Sequence, residues 1–313
     1  MRILFGGNKE RGIACFLALV NRGYNIVGVI AHPSTRPSAP PNSVAGVAFQ
    51  MELPLFQPPN INEPKVISSL RELTPDLIVL AGYGQIVKQE FFSLAPNGCI
   101  NLHGGKLPKY RGSSPMNWAL INGDTEFTLT IIRVDAGVDT GNILNERTFP
   151  ISVDDTIADL QRIADQAFPE MLLEVIAQIE DGTVEARKQD ESHASYYPLR
   201  FPDDGLILWD LYTAEQIHNR IRALTDPYPG AFTFIKGQRV KLLHSKLAKR
   251  TFYGEPGRVY LKNEHGLLVC ALDRCLWVQR AIVDKDRTDA HEIIQRYDKF
   301  ATVRDLVVAN FNK

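Results

Sequence analysis

Short apolar runs alternate with amphipathic segments along the first half of the chain. Four runs are continuously apolar, which is typical of strands buried on both faces of a parallel sheet. These predicted strands are residues 3–5, 25–32, 77–80 and 99–102. The segments between them have the apolar spacing of helices, and the predicted helices cover residues 12–22, 43–52, 64–73 and 85–94. Alternation of this kind predicts an α/β fold with a mainly parallel sheet covered by helices on both faces.

The pattern changes after residue 185. Before it, residues 127–134 and 143–150 predict two more strands, and residues 156–180 predict the longest helix. After a polar stretch and a short helix at 214–224, turn-separated β-rich segments predict a small barrel or sandwich. These segments are 230–235, 238–248, 257–263, 266–272 and 275–283. We therefore expect a Rossmann-like domain, a linker and a β-rich C-terminal domain, with the bounds 1–185, 186–205 and 206–313.

Composition excludes several classes of protein. The 313 residues suffice for about two domains, and 44% hydrophobic with 23% charged residues is ordinary globular usage. No apolar run approaches the ~20 residues of a membrane helix, and the N-terminus enters a strand pattern without a signal-peptide pattern. We therefore predict a cytoplasmic protein without membrane association. The net charge of -1 does not favour a generally basic nucleic-acid-binding protein.

The four cysteines give no sign of a metal site or a disulfide framework. They are Cys15, Cys99, Cys270 and Cys275. Their spacing contains no CxxC pair, and no set of histidines accompanies them. We expect all four to pack as small apolar side chains and expect no metal in the protein.

The densest polar stretch of the chain follows the strand at 99–102. Asn101 and His103 are two residues apart, so their side chains point the same way at the rim where ligands of α/β sheets bind. A second polar loop, which contains Asp139, lies between the two later strands. We expect it to place a carboxylate over the imidazole. The alternative is that Asn101 caps a turn, His103 is a satisfied polar residue and the loop is only a turn.

An amide, an imidazole and a carboxylate suit acyl transfer to an amine without a covalent enzyme intermediate. The imidazole supplies a base with an ordinary pKa near 6.5, and the carboxylate orients and tunes it. The amide supplies a neutral donor for a tetrahedral oxyanion. No serine or cysteine nucleophile is required.

The surrounding motifs resemble those of the formyltransferase family that uses 10-formyltetrahydrofolate. The matching segments in the first half are Asn101-Leu102-His103, Leu107-Pro108-x-x-Arg111-Gly112-x-x-Pro115-x-x-Trp118-Ala119, Gly123-Asp124-Thr125-Glu126 and Gly137-x-Asp139-x-Gly141. Those in the second half are Ile217-x-x-x-Ile221-Arg222-Ala223-Leu224 and Tyr228-Pro229-Gly230-Ala231. The opening strand and helix also resemble those of the family. The resemblance covers nearly the whole chain and implies an OB-like C-terminal domain.

The resemblance implies a role for each residue of the trio. His103 is the central catalytic residue, Asp139 its partner and proton relay, and Asn101 the donor to the developing oxyanion. The implied formyl donor is 10-formyltetrahydrofolate, with its pterin held largely by backbone groups of two loops. The residues of these loops are Gln85, Ile86, Val87, Asp135, Ala136, Gly137 and Val138. Lys106 and Ser113 depart from many relatives and receive no role.

The acceptor amine is less well defined, and two subfamilies compete. Members that formylate methionyl-tRNA carry a basic insertion after the second strand, whereas residues 32–43 are short and contain one cation, Arg36. The segment that contains Tyr196, Arg200 and Trp209 resembles the formyltransferase domain that modifies 4-amino-4-deoxyarabinose on UDP. Tyr196 or Trp209 would stack on a base and Arg200 would pair with a diphosphate, although Trp209 also suits packing at a domain junction. We therefore predict a nucleotide-linked amino sugar as the partner.

Other acceptors stay open at this point. The length, the C-terminal domain and six cations without an acid between residues 236 and 250 favour methionyl-tRNA, although a solvated hairpin also explains the cations. These are Lys236, Arg239, Lys241, Lys246, Lys249 and Arg250. Hydroxyornithine is a further acceptor, and a catalytically inert folate-binding protein is an alternative of another class. The sequence names neither the sugar nor the nucleotide, and a homodimer is an open expectation.

Overall fold

The chain forms two compact units that interleave along the sequence. The computed structural model describes residues 1–33, 40–283, 288–305 and 307. The first unit comprises Met1–Pro115, Phe127–Phe149 and Gln161–Pro198. The second comprises Met116–Glu126, Pro150–Leu160 and Leu199–Lys313. The bounds predicted for the domains and linker stay predictions.

The first unit is built on a seven-stranded sheet. Its strands are β1 (Arg2–Gly7), β2 (Asn25–Ile30), β3 (Leu55–Phe56), β4 (Leu77–Ala81), β5 (Cys99–His103), β7 (Glu126–Arg133) and β8 (Ile143–Pro150). Their order is β3-β2-β1-β4-β5-β7-β8. The first five pair in parallel, and β7 runs antiparallel to β5. β4 is buried at every position and β1 and β2 at all but the first, as their continuous apolar runs require. The predicted mainly parallel sheet is confirmed.

Helices lie between these strands along the chain, and one more helix follows β8. They are α1 (Lys9–Asn21), α2 (Val44–Gln50), α3 (Pro64–Glu72), α4 (Gln89–Phe92), α5 (Pro115–Asn122) and α6 (Ile157–Glu180). The helix predicted over 85–94 is wrong at its start. Gln85 bonds to Ile61 N and Pro58 O, and Lys88 is extended with φ -99° and ψ 173°, so only four residues form a helix. No helix in the described part of the chain combines the length and apolar character needed to cross a membrane.

A short strand pair brings the segment after α6 back to the segment after β5. Strand β6 (Arg111–Gly112) pairs in parallel with β9 (Tyr196–Tyr197). The ring of Tyr110 also stacks on that of Tyr197 at 4.8 Å between centroids. Both strands of this pair lie in the first unit.

The second unit contains a six-stranded antiparallel sheet. The strands of this sheet are β10 (Ala231–Ile235), β11 (Gln238–Leu247), β12 (Val259–Asn263), β13 (Gly266–Cys270), β14 (Cys275–Val283) and β15 (Thr288–Asp289). The unit also contains the helices α7 (Ala214–Leu224) and α8 (Ala290–Ile293). The order is β10-β11-β14-β13-β12, with β15 beside β14. Trp209 lies fully buried in this unit, stacked on Phe300. The predicted small β-rich domain is confirmed, and its OB-like character stays a prediction.

Two cysteines of this sheet form a pair that the sequence analysis did not expect. Cys270 and Cys275 face each other across β13 and β14, and the structure joins them in a disulfide. The expectation of four free thiols is wrong here because the tight turn brings the two strand ends together. Cys15 and Cys99 are free and buried, and burial raises the pKa of Cys15 to about 12. The described residues contain no group of three or more side chains suited to hold a metal ion.

Candidate active site

Strand β5 presents Asn101 and His103 on one face of the sheet. Successive side chains of a strand alternate, so residues two apart share a face. His103 is 6% exposed and lies opposite Thr130 of β7. Asn101 is half-buried, and its amide makes no hydrogen bond to any residue that the structure describes. Its donor is therefore available to a ligand.

The two ring nitrogens of His103 have different surroundings. Nε2 lies 2.6 Å from the carbonyl oxygen of Tyr110. Because a carbonyl only accepts, Nε2 carries a proton and donates. Nδ1 lies 3.5 Å from Oδ2 of Asp139. Any further proton gained by the ring therefore lies on Nδ1, beside the carboxylate.

At position 105, two residues after His103, there is room only for glycine. A Cβ on Gly105 would lie 2.9 Å from Nε2 of His103 and 2.7 Å from Pro115. The carbonyl oxygen of Gly105 accepts a hydrogen bond from Thr130 Oγ1 at 2.8 Å. The glycine thus lets the backbone turn against the imidazole while a neighbouring strand fixes its position.

The loop that carries Asp139 has a defined internal structure. Oδ1 of Asp135 accepts from Gly137 N and from Thr140 Oγ1, which closes the turn. Gly141 lies so close to the backbone of Arg133 that a Cβ would overlap its carbonyl oxygen. Asp139 has a φ of 54°. The backbone at Asp139 therefore has a conformation that few non-glycine residues adopt.

A backbone amide fixes the carboxylate of Asp139. Oδ2 accepts from Gly112 N at 2.8 Å, and the side chain is 14% exposed. Gly112 itself has a φ of +97°, and a Cβ there would overlap the carbonyl oxygen of Tyr197. Only glycine can therefore hold the amide in this direction without moving β9.

This packing predicts a difference between two glycine substitutions. Gly182→Ala places a Cβ in open space at a φ of +69° and should lower the free energy of unfolding by about 1 kcal/mol. Gly112→Ala adds a steric overlap and should lower it by about 3 kcal/mol or more. Urea denaturation of both variants measures the difference. Equal losses would show that β9 yields to the added methyl group without cost.

The first predicted folate loop follows β4 and is held by side chains. Gln85 accepts from Ile61 N at 2.8 Å, and Asn62 bonds to both Ile86 O and Lys88 N. Ile86 is 75% exposed. Val138, from the second predicted loop, is also exposed. Both loops therefore have side chains open to solvent, and the pterin contacts stay a prediction.

An aromatic pair supports the end of β4. The rings of His32 and Tyr83 stack at 5.0 Å between centroids, and His32 Nε2 accepts from Gly84 N at 3.1 Å. Burial lowers the pKa of His32 and raises the pKa of Tyr83 to about 12. Both side chains are therefore neutral near pH 7 and favour an uncharged surface at this turn.

The three residues proposed to bind a nucleotide belong to different units and have different surroundings. Tyr196 belongs to the first unit, where its hydroxyl accepts from Arg111 Nη1 at 2.8 Å. Arg200 belongs to the second unit and lies 4.8 Å above the ring of Trp118. Trp209 has no exposed surface and donates to Thr233 Oγ1 at 3.0 Å. The stacking of Trp209 on a substrate base is therefore not supported, and its alternative role in packing is.

Two buried polar residues contribute to the site although the sequence pattern gives them no role. Arg111 is fully buried, and Gln189 is 4% exposed. Gln189 Nε2 donates to the carbonyl oxygens of Asp139 and Gly141. A hydrogen bond to Glu191 is the main cause that raises the pKa of Arg111. Arg111 lay within the recognised motif without a role, and no sequence signal links Gln189 to a loop fifty residues away.

The basic segment at 236–250 is partly paired. Lys236 lies 2.8 Å from Asp298, and Lys246 lies 3.5 Å from Asp154. Arg239 packs 3.8 Å above the ring of Phe232. Residues 249 and 250 are exposed. Arg36, the single cation of the short segment at 32–43, lies outside the described residues.

Two methionyl-tRNA formyltransferases are similar to this chain over most of its length. The methionyl-tRNA formyltransferase of Geobacter sulfurreducens is 36% identical over 86% of this chain and 85% of its own length. That of Citrifermentans bemidjiense is 33% identical over 95% of this chain and 94% of its own. The similarity therefore extends through both units.

Solved structures share the fold at lower identity. The N-formyltransferase from Helicobacter canadensis, in complex with folinic acid and dTDP-3-aminofucose, has a TM-score of 0.68 at 21% identity and covers 88% of this chain and 98% of its own. Methionyl-tRNA formyltransferase from Clostridium thermocellum has a TM-score of 0.58 at 19% identity, covering 79% and 94%. At these identities the likeness shows the fold alone.

The predicted sugar-nucleotide acceptor is wrong. The relatives above 30% identity that are named here are methionyl-tRNA formyltransferases, and they match both halves of the chain. The prediction relied on the short segment at 32–43, which has one cation, and on the segment with Tyr196, Arg200 and Trp209. In the structure Trp209 is a core residue and Tyr196 bonds to Arg111. Packing within the units explains this segment better than nucleotide recognition does.

Family models match most of the chain. The formyl transferase model matches residues 3–176, and the model of the formyl transferase C-terminal domain matches residues 201–298. The predictions of a formyltransferase and of 10-formyltetrahydrofolate as its formyl donor are confirmed at the level of the family. This chain belongs to the formyl transferase family.

Proposed function

We propose that this enzyme transfers the formyl group of 10-formyltetrahydrofolate to the α-amino group of methionyl-tRNA. The main support for this proposal is the similarity to methionyl-tRNA formyltransferases, at 33–36% identity over 86–95% of the chain. The geometry around His103 and Asp139 supports an acyl transfer that needs proton movement but no covalent enzyme intermediate. The proposal places the enzyme in the cytoplasm, where aminoacylated tRNA is found.

In this proposal the reaction proceeds through a tetrahedral intermediate. The amine nitrogen forms a bond to the formyl carbon, and the bond between that carbon and N10 of the folate breaks. The proton lost by the amine passes to the pair formed by His103 Nδ1 and Asp139, which returns it to N10 as the leaving nitrogen. Nδ1 is the ring nitrogen available for this exchange because Nε2 is held by Tyr110. Asn101 donates to the oxygen of the formyl group as it gains charge.

The folate is assigned to the two predicted loops. Backbone groups at residues 85–87 and 135–138 would hold the pterin, and the exposed Ile86 and Val138 supply apolar surface. The neutral His32 and Tyr83 support the first loop from β4 without adding charge. A folate contact with the second loop would also connect donor binding to Asp139, the residue after Val138 in that loop.

The acceptor tRNA requires phosphate contacts. The exposed cations Lys249 and Arg250 belong to the basic segment of the second unit. Each phosphate neutralised by a cation adds about 0.7–0.9 to the slope of log affinity against log salt. The proposal therefore predicts that the KM for methionyl-tRNA rises steeply between 50 and 200 mM salt, by about tenfold or more. The KM for 10-formyltetrahydrofolate, which has few charges, should change far less.

The test is a comparison of acceptors at fixed 10-formyltetrahydrofolate. Methionyl-tRNA, the same tRNA with an acetylated amine, a UDP-linked amino sugar and hydroxyornithine are each incubated with the enzyme while tetrahydrofolate release is followed. Mass spectrometry of the product locates the formyl group. We expect formylmethionyl-tRNA only, with no release when the amine is blocked. Release with the sugar or with hydroxyornithine, but not with methionyl-tRNA, would contradict the proposal.

A further inference from the structure

One buried side chain holds the backbone on both sides of the Asp139 turn. Gln189 Nε2 donates to the carbonyl oxygen of Asp139 at 2.8 Å and to that of Gly141 at 2.7 Å. Asp139 has a φ of 54°, in the left-handed region. Such a conformation persists at a non-glycine residue when its surroundings hold it there. The two carbonyl contacts supply that restraint.

Arg111 fixes the orientation of the Gln189 amide. Its Nε and Nη2 donate to Gln189 Oε1 at 3.1 and 2.8 Å. A guanidinium only donates and a carbonyl only accepts, so the oxygen of Gln189 must face Arg111 and the nitrogen must face the Asp139 loop. Arg111 in turn binds both oxygens of Glu191, at 2.8 and 2.6 Å. The amide has one arrangement that satisfies every partner.

The same arginine neighbours the group that holds the carboxylate. Gly112, the next residue in β6, donates its N–H to Asp139 Oδ2 at 2.8 Å. Asp139 is therefore held at its backbone through Gln189 and at its carboxylate through Gly112, and both supports meet at Arg111. The distance from Asp139 Oδ2 to His103 Nδ1 is 3.5 Å, which is longer than a typical hydrogen bond. A small displacement of the loop would separate the two groups.

We infer that Gln189 is a positioning residue for formyl transfer: it acts through the backbone of Asp139 to keep that carboxylate beside His103, with Arg111 fixing its amide. The inference rests on the catalytic pair of the proposed function. It assigns a purpose to the buried side chains of Arg111 and Gln189 and to their contact with Glu191. Glu191 is largely exposed, and its pKa is lowered, chiefly by the hydrogen bond from Arg111, so it stays charged near neutral pH.

The first test is a pair of matched substitutions. Gln189→Glu keeps the shape and the acceptor toward Arg111 but turns an oxygen toward two carbonyl oxygens. Gln178→Glu makes the same change on an exposed face of α6. Gln189→Glu should lower kcat about 10- to 100-fold with the KM for folate within about twofold. Gln178→Glu should change neither.

A double-mutant cycle separates positioning from a general structural effect. When Gln189→Glu is added to Asp139→Asn, kcat should fall by less than about threefold further. The reason is that the carboxylate positioned by Gln189 is no longer present. If Gln189→Glu lowers kcat by the same factor in the Asp139→Asn variant as in the unmodified enzyme, the inference is overturned. Gln189→Met, which also lacks the donors, replaces Gln189→Glu in every measurement if the added charge prevents folding.

Amide hydrogen exchange provides a readout that does not depend on the acceptor. Gly112 N–H is bonded to Asp139, whereas Arg111 N–H and Ser113 N–H are bonded to Ser195 O and Tyr197 O. In the Gln189 variant, exchange at Gly112 should accelerate about tenfold or more while its two neighbours stay unchanged. Equal acceleration at all three amides, or none, would overturn the inference. Because no substrate is used, failure of the proposed acceptor leaves this result interpretable.

Discussion

His103→Ala should lose about 10²- to 10⁴-fold in kcat for formyl transfer to methionyl-tRNA, the range of general acid–base catalysis. In the proposed mechanism the imidazole and Asp139 together take up the proton of the amine, so removal of the imidazole leaves the amine without a proton acceptor in the transition state. The Kd of the folate should stay within about threefold, because the predicted pterin contacts lie on other loops. Stopped-flow mixing measures kcat, and fluorescence titration measures folate binding.

A matched histidine controls for the substitution itself. His265 is exposed and belongs to the second unit, so His265→Ala should keep normal kcat. His103 makes one hydrogen bond to Tyr110 and is 6% exposed, so its alanine variant should still fold. Near-normal turnover by folded His103→Ala would remove the imidazole from the mechanism.

Asp139→Asn should lose about 10²-fold or more in kcat, although the side chain keeps its size. The carboxamide still offers an oxygen to Gly112 N, so the loop should keep its conformation. The negative charge beside His103 Nδ1 is lost, and with it the stabilisation of the proton that this nitrogen receives. The loss should appear in kcat far more than in the KM of either substrate.

The exposed Asp181 provides the comparison for that charge. Asp181→Asn removes the same charge after α6 in the same unit and should leave kcat unchanged. The double variant His103→Ala/Asp139→Asn should be little slower than the worse single variant, because the two residues act as a unit. Additive losses would show that the two groups act in separate steps.

The regular parts of the fold follow from local pattern. Continuous apolar runs predict β1, β4 and β5 because these strands are buried on both faces, and such burial is visible in composition alone. The pairing of β6 with β9 could not be predicted, since each has two residues and they lie 85 positions apart, Arg111 against Tyr196. The disulfide escaped because a tight turn, not a cysteine motif, brings Cys270 to Cys275.

Some residues of the site can be predicted from the sequence, and others cannot. The alternation of side chains along a strand predicts Asn101 and His103 on one face. The loop between the two later strands predicts Asp139 near them. Gln189 was not expected because its role depends on two carbonyl groups that only the folded chain brings near. The acceptor prediction is wrong because local segments were read as determinants of the acceptor, whereas similarity over the whole chain favours methionyl-tRNA formyltransferases. One of the residues read as a ligand, Trp209, is a core residue.

The most direct test of the central claim is a crystal structure with a stable formyl donor, 10-formyl-5,8-dideazafolate. We expect the formyl oxygen about 2.7–3.2 Å from Asn101 Nδ2. We also expect the formyl carbon beside the pair of His103 and Asp139. A donor bound with its formyl group away from all three side chains would exclude the proposed mechanism.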